Sequence, residues 1–274
     1  MGSYLEDTNK AVTTERLREM KSQGRKICCI TAYDALFARI FEEAGVDLIL
    51  VGDSLANVIQ GKETTLSVTM EEMIYHTKAV VSGAQRPLIV ADMPFMSYQI
   101  SADEALRNAG RLLKETGCDA VKLEGCTPQI LTAVKNMTSV GIPVIGHLGL
   151  TPQSINKFGT YKARGKDKAE AEAIFDSAMK LEDAGAFAIV LEKIPADLGK
   201  KISENLSIPT IGIGAGKYCD GQILVCTDML GVSVDFRPRF VRRYAELYDV
   251  IKNAVEQYAK DVIGEDFPTD KESY

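Results

Sequence analysis

Two hydrophobic rhythms alternate along the chain. Eight short runs, at 27–33, 48–53, 88–94, 120–125, 144–150, 188–195, 209–216 and 223–230, are rich in Val, Ile and Leu on both alternating faces. That is the pattern of strands covered on two sides. Between them, 34–44, 69–83, 102–116, 128–139 and 169–184 carry apolar residues at the spacing of a helix with one buried face. Residues 196–206 read as one further short helix. Strand and helix in strict alternation require parallel pairing through right-handed crossovers. Eight such strands in one domain-sized chain predict a single (β/α)8 TIM barrel over 1–274, with 1–12 and 264–274 as flexible tails. The turn at 217–222 is too short for a helix, so an open doubly wound sheet is the alternative. Two helices fall outside the repeat. An N-terminal helix at 13–23 is expected to cap the bottom of the barrel. After Pro238 a long C-terminal amphipathic stretch sets Phe240, Tyr244, Leu247, Ile251, Val255 and Val262 on one face, for core packing or an oligomer contact.

Composition narrows the partners. The chain has 274 residues, 46% apolar and 26% charged, an ordinary globular balance. A net charge of −6 without any basic block argues against nucleic-acid binding. The longest purely apolar run, 186–191, is far short of the ~20 residues that cross a bilayer. The polar, acidic N-terminus fits no targeting peptide, and Glu6 stands where myristoylation at Gly2 would call for Ser or Thr. Six cysteines without a CxxC read as buried reduced thiols in a cytoplasmic protein acting on small molecules.

Candidate chemistry lies where the strands end, because in a barrel the carboxyl ends converge on one mouth. The last polar residues of the runs are Asp53, Asp92, Lys122 with Glu124, His147, Glu192 and Asp228. A carboxylate closing an apolar run is desolvated, paired or bound to a cation. Asp53 and Asp92 are each a cap or a loop salt bridge, or together suit magnesium, which takes oxygen ligands and often only one or two carboxylates. Lys122 and Glu124, two apart on one strand, point the same way. Either they neutralise each other, or Glu124 supports the cation while Lys122 receives a substrate carboxylate. His147, between glycines, is a satisfied polar residue or a catalyst. His76 reads as a surface residue, and no Cys/His spacing supports zinc. Gly-Ile-Gly-Ala-Gly at 212–216 is a tight strand-end turn and not a P-loop, since no glycine lies six residues before Lys217. The basic loop 156–168 follows the His147 strand, where loops often cover the mouth. Its Lys157, Lys162 and Arg164 are solvated or meet an acidic ligand.

Several local words occur in a specific order: Thr-Ala-Tyr-Asp at 31–34, Val-Gly-Asp-Ser at 51–54, Ala-Asp-Met-Pro-Phe at 91–95, Val-Lys-Leu-Glu-Gly at 121–125, Gly-His-Leu-Gly-Leu-Thr-Pro-Gln-Ser at 146–154, and Ile-Gly-Ile-Gly-Ala-Gly at 211–216. With these the chain, from about residue 13 to about residue 262, closely resembles the 3-methyl-2-oxobutanoate (ketopantoate) hydroxymethyltransferases. The resemblance implies a magnesium-dependent barrel enzyme of pantothenate biosynthesis. It would transfer a hydroxymethyl group from 5,10-methylenetetrahydrofolate to 3-methyl-2-oxobutanoate. It places metal ligands on Asp53, Asp92 and Glu124, and keto-acid contacts on Asp53, Ser54, Asp92 and Lys122. The proton acceptor falls on Glu192 and a supporting role on His147. It also implies a homo-oligomer, commonly a decamer. Ala56, Cys126, Lys193 and Thr227 depart from the family's usual residues and bear on packing or folate fit. The rival enzyme reading is a magnesium-dependent lyase or mutase of the phosphoenolpyruvate mutase and isocitrate lyase type, whose Lys-Lys-Cys-Gly-type loop is absent here. A non-catalytic ligand-binding barrel is the second rival.

Overall fold

Seven of the eight apolar runs contain a strand and the last overlaps one: β1 (Ile27–Thr31), β2 (Leu48–Val51), β3 (Leu88–Asp92), β4 (Ala120–Glu124), β5 (Val144–Gly149), β6 (Ala188–Glu192), β7 (Thr210–Ile213) and β8 (Gly221–Leu224). The computed structural model describes residues 10–234 and 237–274. All neighbours pair in parallel and in chain order, and β8 returns to β1 through Ile27↔Gly221 and Ile30↔Leu224, so the sheet closes and the open-sheet alternative falls. The helices are α1 (Thr14–Ser22), α2 (Ala35–Glu43), α3 (Leu55–Val58), α4 (Met70–Gly83), α5 (Ala102–Thr116), α6 (Pro128–Ser139), α7 (Ile155–Phe158), α8 (Lys168–Asp183), α9 (Ala196–Asn205), α10 (Cys226–Met229) and α11 (Leu247–Ile263).

Local chemistry starts these helices where they are needed. Asp34 accepts from the backbone N–H of Leu36 and Phe37, Ser101 from Glu104 and Asp167 from Glu170, each satisfying a first-turn donor. Thr69 and Glu72 form a reciprocal capping box on α4. Gly83 lets α4 lie against α2, since a Cβ there would sit 2.2 Å from the Ala35 carbonyl oxygen.

Side-chain parity inside the barrel sets up the site. In the lower half, inward residues such as Cys29, Leu50, Val90, Ile145 and Val190 form one apolar cluster with Val12, Leu17 and Met20. The N-terminal helix α1 therefore plugs the bottom, each buried side chain contributing about 1.5–3 kcal/mol by removal from water. Lys21 clamps it there, donating to the carbonyls of Ser203 and Ile208 (2.8 and 2.9 Å) and to Asp220 Oδ2 (3.0 Å). Further along the same inward series come Asp92 two after Val90, Lys122 two and Glu124 four after Ala120, His147 two after Ile145, and Glu192 two after Val190. An apolar lower half thus carries a polar upper layer at the strand ends.

Three expectations are corrected. Val12 is not part of a loose tail: its N–H donates to the Arg86 carbonyl at 2.7 Å and its side chain is buried. Residues 1–9 of that tail lie outside the described residues, and 264–274 are exposed with a turn in which Thr269 N–H donates to Glu272. The last strand runs over Gly221–Leu224 rather than 223–230, because its ladder with β1 ends at Ile30. Asp228 consequently lies on α10 and ends no strand.

The chain divides into two compact units, Met1–Val225 and Cys226–Tyr274. In the second, the backbone N–H groups of Tyr244, Leu247 and Tyr248 donate to the carbonyls of Met229, Leu230 and Gly231. Residues 244–248 are thereby tied to that turn, and the C-terminal helix begins at Leu247 rather than soon after Pro238. No residue of α11 is buried.

Candidate active site

Five strand ends deliver one continuous chain of charged groups. Asp53 follows β2, and its backbone N–H donates to Asp92 Oδ2 at 3.0 Å. Asp92 closes β3 with Oδ1 2.7 Å from the Lys122 ammonium on β4. Lys122 Nζ lies 3.3 Å from His147 Nδ1, and the same nitrogen lies 3.3 Å from Glu124 Oε1. His147 Nε2 reaches Glu192 Oε2 at the end of β6, 3.4 Å away. Asp53, Asp92, Lys122, Glu124 and His147 are all buried. Glu192 retains 15% side-chain exposure and is the member that faces the open end. Ser54, at the start of α3, pairs its hydroxyl with Tyr33 Oη at 2.8 Å.

Burial and like charge dominate the electrostatics. Burial, then the neighbouring Asp92 and Glu124, pushes Asp53 up to about 8 against the pull of Lys122 and Gln153. Burial also raises Asp92, although Lys122 and the Asp53 N–H oppose it. For Lys122, burial works against the ammonium but Asp92, Glu124 and Asp53 outweigh it, so its pKa rises. His147 follows suit: burial and Lys122 lower it, while Glu124 and Glu192 carry it up to about 9. Three buried carboxylates share one lysine and one imidazole, an excess of buried negative charge that a cation would relieve. The donors are hard oxygens, which fits magnesium. Among the described residues no group of three or more His, Cys, Asp or Glu side chains is already placed to hold a metal ion. The acid oxygens would have to close on the ion as it binds, with water and substrate completing its shell.

Two residues of this site escaped the sequence reading. Gln153, in the turn at Pro152–Ser154, donates from Nε2 to Asp53 Oδ2 (2.9 Å) and from its backbone N–H to Glu124 Oε2 (2.9 Å). Tyr98 is fully buried; its hydroxyl accepts from Glu124 N–H (3.0 Å) and donates to Gln153 Oε1 (2.7 Å). The only signal for Gln153 was its place inside the 146–154 word, and Tyr98 carried none.

Other expectations resolve differently. His76 is half-buried and not a surface residue, because its Nδ1 meets the Tyr33 carbonyl at 2.7 Å. In the basic loop, Arg164 pairs with Glu170 and lies 4.3 Å over the Phe158 ring, while Lys157 and Lys162 are exposed. Lys193, directly after Glu192, anchors that loop by donating to the Tyr161 carbonyl and accepting from Arg164 N–H (2.9 Å). All six cysteines are free thiols; Cys28 is exposed and Cys126 half-buried, against the expectation of general burial. Among the described residues no helix is long and apolar enough to cross a membrane.

A closed parallel barrel with a buried acid–lysine–histidine layer at its carboxyl mouth defines a (β/α)8-barrel enzyme. Residues 11–270 match the family described as ketopantoate hydroxymethyltransferase. The 3-methyl-2-oxobutanoate hydroxymethyltransferase of Prosthecochloris aestuarii is 60% identical over 267 residues, 96% of each chain, and that of Bacteroides thetaiotaomicron is 54% identical over the whole of both. The chain belongs to the ketopantoate hydroxymethyltransferase family. Among solved structures, phosphonopyruvate hydrolase with oxalate and Mg2+ superposes with a TM-score of 0.61 at 13% identity, covering 94% of this chain and 92% of that one. The 2,3-dimethylmalate lyase of the PEP mutase/isocitrate lyase superfamily gives 0.59 at 16%, covering 95% and 91%. At such identities the shared property is the barrel fold alone, and the family match, not the fold, decides against the lyase or mutase alternative.

Proposed function

We propose that this enzyme transfers a hydroxymethyl group from 5,10-methylenetetrahydrofolate to 3-methyl-2-oxobutanoate, with one water consumed, to give 2-dehydropantoate and tetrahydrofolate in pantothenate biosynthesis. The observation that carries the reading is the His147 bridge: one ring lies 3.3 Å from buried Glu124 and 3.4 Å from open Glu192, so the acid cluster and a separate carboxylate share one mouth. Asp53, Asp92 and Glu124 would hold Mg2+, which when bound supplies Lewis acidity to the keto oxygen and neutralises charge developing on it. Lys122 receives the substrate carboxylate while Asp92 keeps its ammonium in place. The Ser54 hydroxyl, oriented by Tyr33, donates to the same end of the substrate. Glu192 takes the proton from C3, and the C3 electron pair forms the bond to the folate methylene carbon as one of its carbon–nitrogen bonds breaks; the water consumed supplies the hydroxyl as the second breaks and tetrahydrofolate leaves. His147 faces the Glu192 carboxylate through Nε2, 3.4 Å away, and supports its charge when protonated.

Support for self-association, a decamer by the family resemblance, comes from α11, whose apolar positions Ile251 and Val255 are more than half exposed in the single chain. Cytoplasmic residence accords with small soluble substrates.

Proton exchange tests the central assignment. In D2O with Mg2+ and no folate, the wild-type protein should wash the C3 proton out of 3-methyl-2-oxobutanoate, followed by NMR. Glu192→Gln should stop exchange while the keto acid still raises the melting temperature. Exchange that persists in Glu192→Gln removes Glu192 from the role of base.

A further inference from the structure

Gln153 lies between two of the carboxylates assigned above to the cation, and every hydrogen-bonding position of its side-chain amide is engaged. Nε2 donates to Asp53 Oδ2 at 2.9 Å and to the Met93 carbonyl at 3.0 Å. Oε1 accepts from Tyr98 Oη at 2.7 Å and from Gln99 Nε2 at 3.1 Å. A carbonyl only accepts and an amide nitrogen only donates, so Met93 and Gln99 together fix which way the Gln153 amide points. Its backbone N–H donates to Glu124 Oε2 at 2.9 Å. One residue therefore holds one oxygen of Asp53 and one of Glu124, leaving Asp53 Oδ1 for the cation, while Glu124 Oε1 lies 3.3 Å from His147 Nδ1.

Tyr98 locks this arrangement. Its hydroxyl lies in the fully buried interior, donates to Gln153 Oε1 and accepts the Glu124 backbone N–H at 3.0 Å. The loop after β3, the end of β4 and the turn after β5 are thus tied at one point beneath the acid cluster. A buried amide with all four positions satisfied is rigid, because moving it breaks several bonds at once with no water to replace them. Neither residue touches a reacting atom in the mechanism above.

We infer that Gln153, locked by Tyr98, is a positioning residue that presents Asp53 and Glu124 to a divalent cation and so sets metal affinity rather than the C3 proton transfer. The inference rests on the proposed function in taking Asp53 and Glu124 as cation ligands. Groups that orient ligands from behind typically govern 10–100-fold of affinity, about what the Asp53 contact should be worth here.

The test uses Mn2+ alone as probe, titrated into the full-length protein and read by the EPR signal of free Mn2+. Gln153→Met keeps the length of the side chain and the backbone contact to Glu124 but removes the amide. It should weaken Mn2+ binding about 10–100-fold. Turnover lost at low Mg2+ should return when Mg2+ is raised, with kcat at saturating metal near that of wild type. Tyr98→Phe, which frees the amide without altering it, should weaken Mn2+ in the same direction by less. Melting curves in EDTA establish that each variant folds, and Tyr98→Phe decides the matter if Gln153→Met does not. Folded variants that bind Mn2+ as tightly as wild type overturn the inference alone. A wild-type protein that takes up no Mn2+, or an Asp53→Asn variant that binds it undiminished, overturns the cation reading and the inference with it.

Discussion

Asp53, Asp92 and Glu124 crowd three carboxylates around one lysine in a buried layer, and this crowding has measurable consequences at the scale of single residues. Asp53→Asn removes a carboxyl that must take up a proton to be buried beside Asp92 and Glu124, while keeping an acceptor for Gln153 Nε2. Metal-free Asp53→Asn should therefore melt a few degrees above metal-free wild type, on the order of 1 kcal/mol of relief, yet gain nothing from Mg2+. The pH dependence of the metal-free protein has a definite sign. Asp53 holds its proton up to about 8 in the fold but releases it near 3.8 when unfolded, so the folded state binds more protons between those values and loses stability as pH climbs. The His147 contribution is fully present below 6.5 and disappears as pH passes about 9. Both act in one direction, and urea midpoints in EDTA should fall from pH 6 to pH 9. A midpoint that rises across this range would contradict the buried-charge description. At this scale Asp92, Lys122, Glu124, His147 and Glu192 were legible because strand parity is strictly two and each lies on the inward series. Tyr98 and Gln153 were not, because their role is a contact between residues 55 positions apart. His76 was misread for the same reason: its partner is a carbonyl 43 residues earlier.

Elements longer than two turns could be read from periodicity, and α5 and α6 fall at the predicted residues. The four-residue helices α3 and α7 could not, since one turn shows no period. The end of β8 was missed because pairing with β1, and not the apolar run, decides where the ladder stops. Between β5 and β6 the backbone itself is tuned. Gly149 has φ of +94° and an added Cβ would lie 2.2 Å from the Glu192 carbonyl oxygen, while the next N–H, of Leu150, donates to that oxygen at 2.9 Å. Gly149→Ala must push β5 and β6 apart at the residue that bears the base. It should destabilise the protein by at least ~1 kcal/mol and slow C3 proton exchange, even though no catalytic atom is altered. Thermal melts and D2O exchange check the two halves separately. At the opposite end, Lys21→Met should free α1 from three acceptors and cost about 2 kcal/mol with exchange per folded molecule unchanged, since the clamp is remote from the mouth.

On the scale of the whole molecule, the barrel separates its tasks along its axis. The lower half, plugged by α1, is apolar and stabilising, while the upper layer concentrates buried charge that the fold must tolerate. Composition could only say that such a chain folds and carries a modest negative charge; the division of labour follows from strand closure, which brings together residues between positions 53 and 192. A ligand that neutralises the upper layer should stabilise the protein more than its size suggests. Mg2+ and 3-methyl-2-oxobutanoate should also act together: the ion is offered oxygen atoms by the keto acid, and the keto acid meets Lys122 and a neutralised floor. With both present at about a hundredfold over their dissociation constants, linkage gives about 2.7 kcal/mol per saturated site, or roughly 5 °C in melting temperature for a chain of this size. The shift with both should exceed the sum of the shifts with each alone, and EDTA should abolish nearly all of it. Additive shifts, or a keto-acid shift indifferent to EDTA, would mean that metal and substrate occupy independent places and that the acid layer is not their common floor.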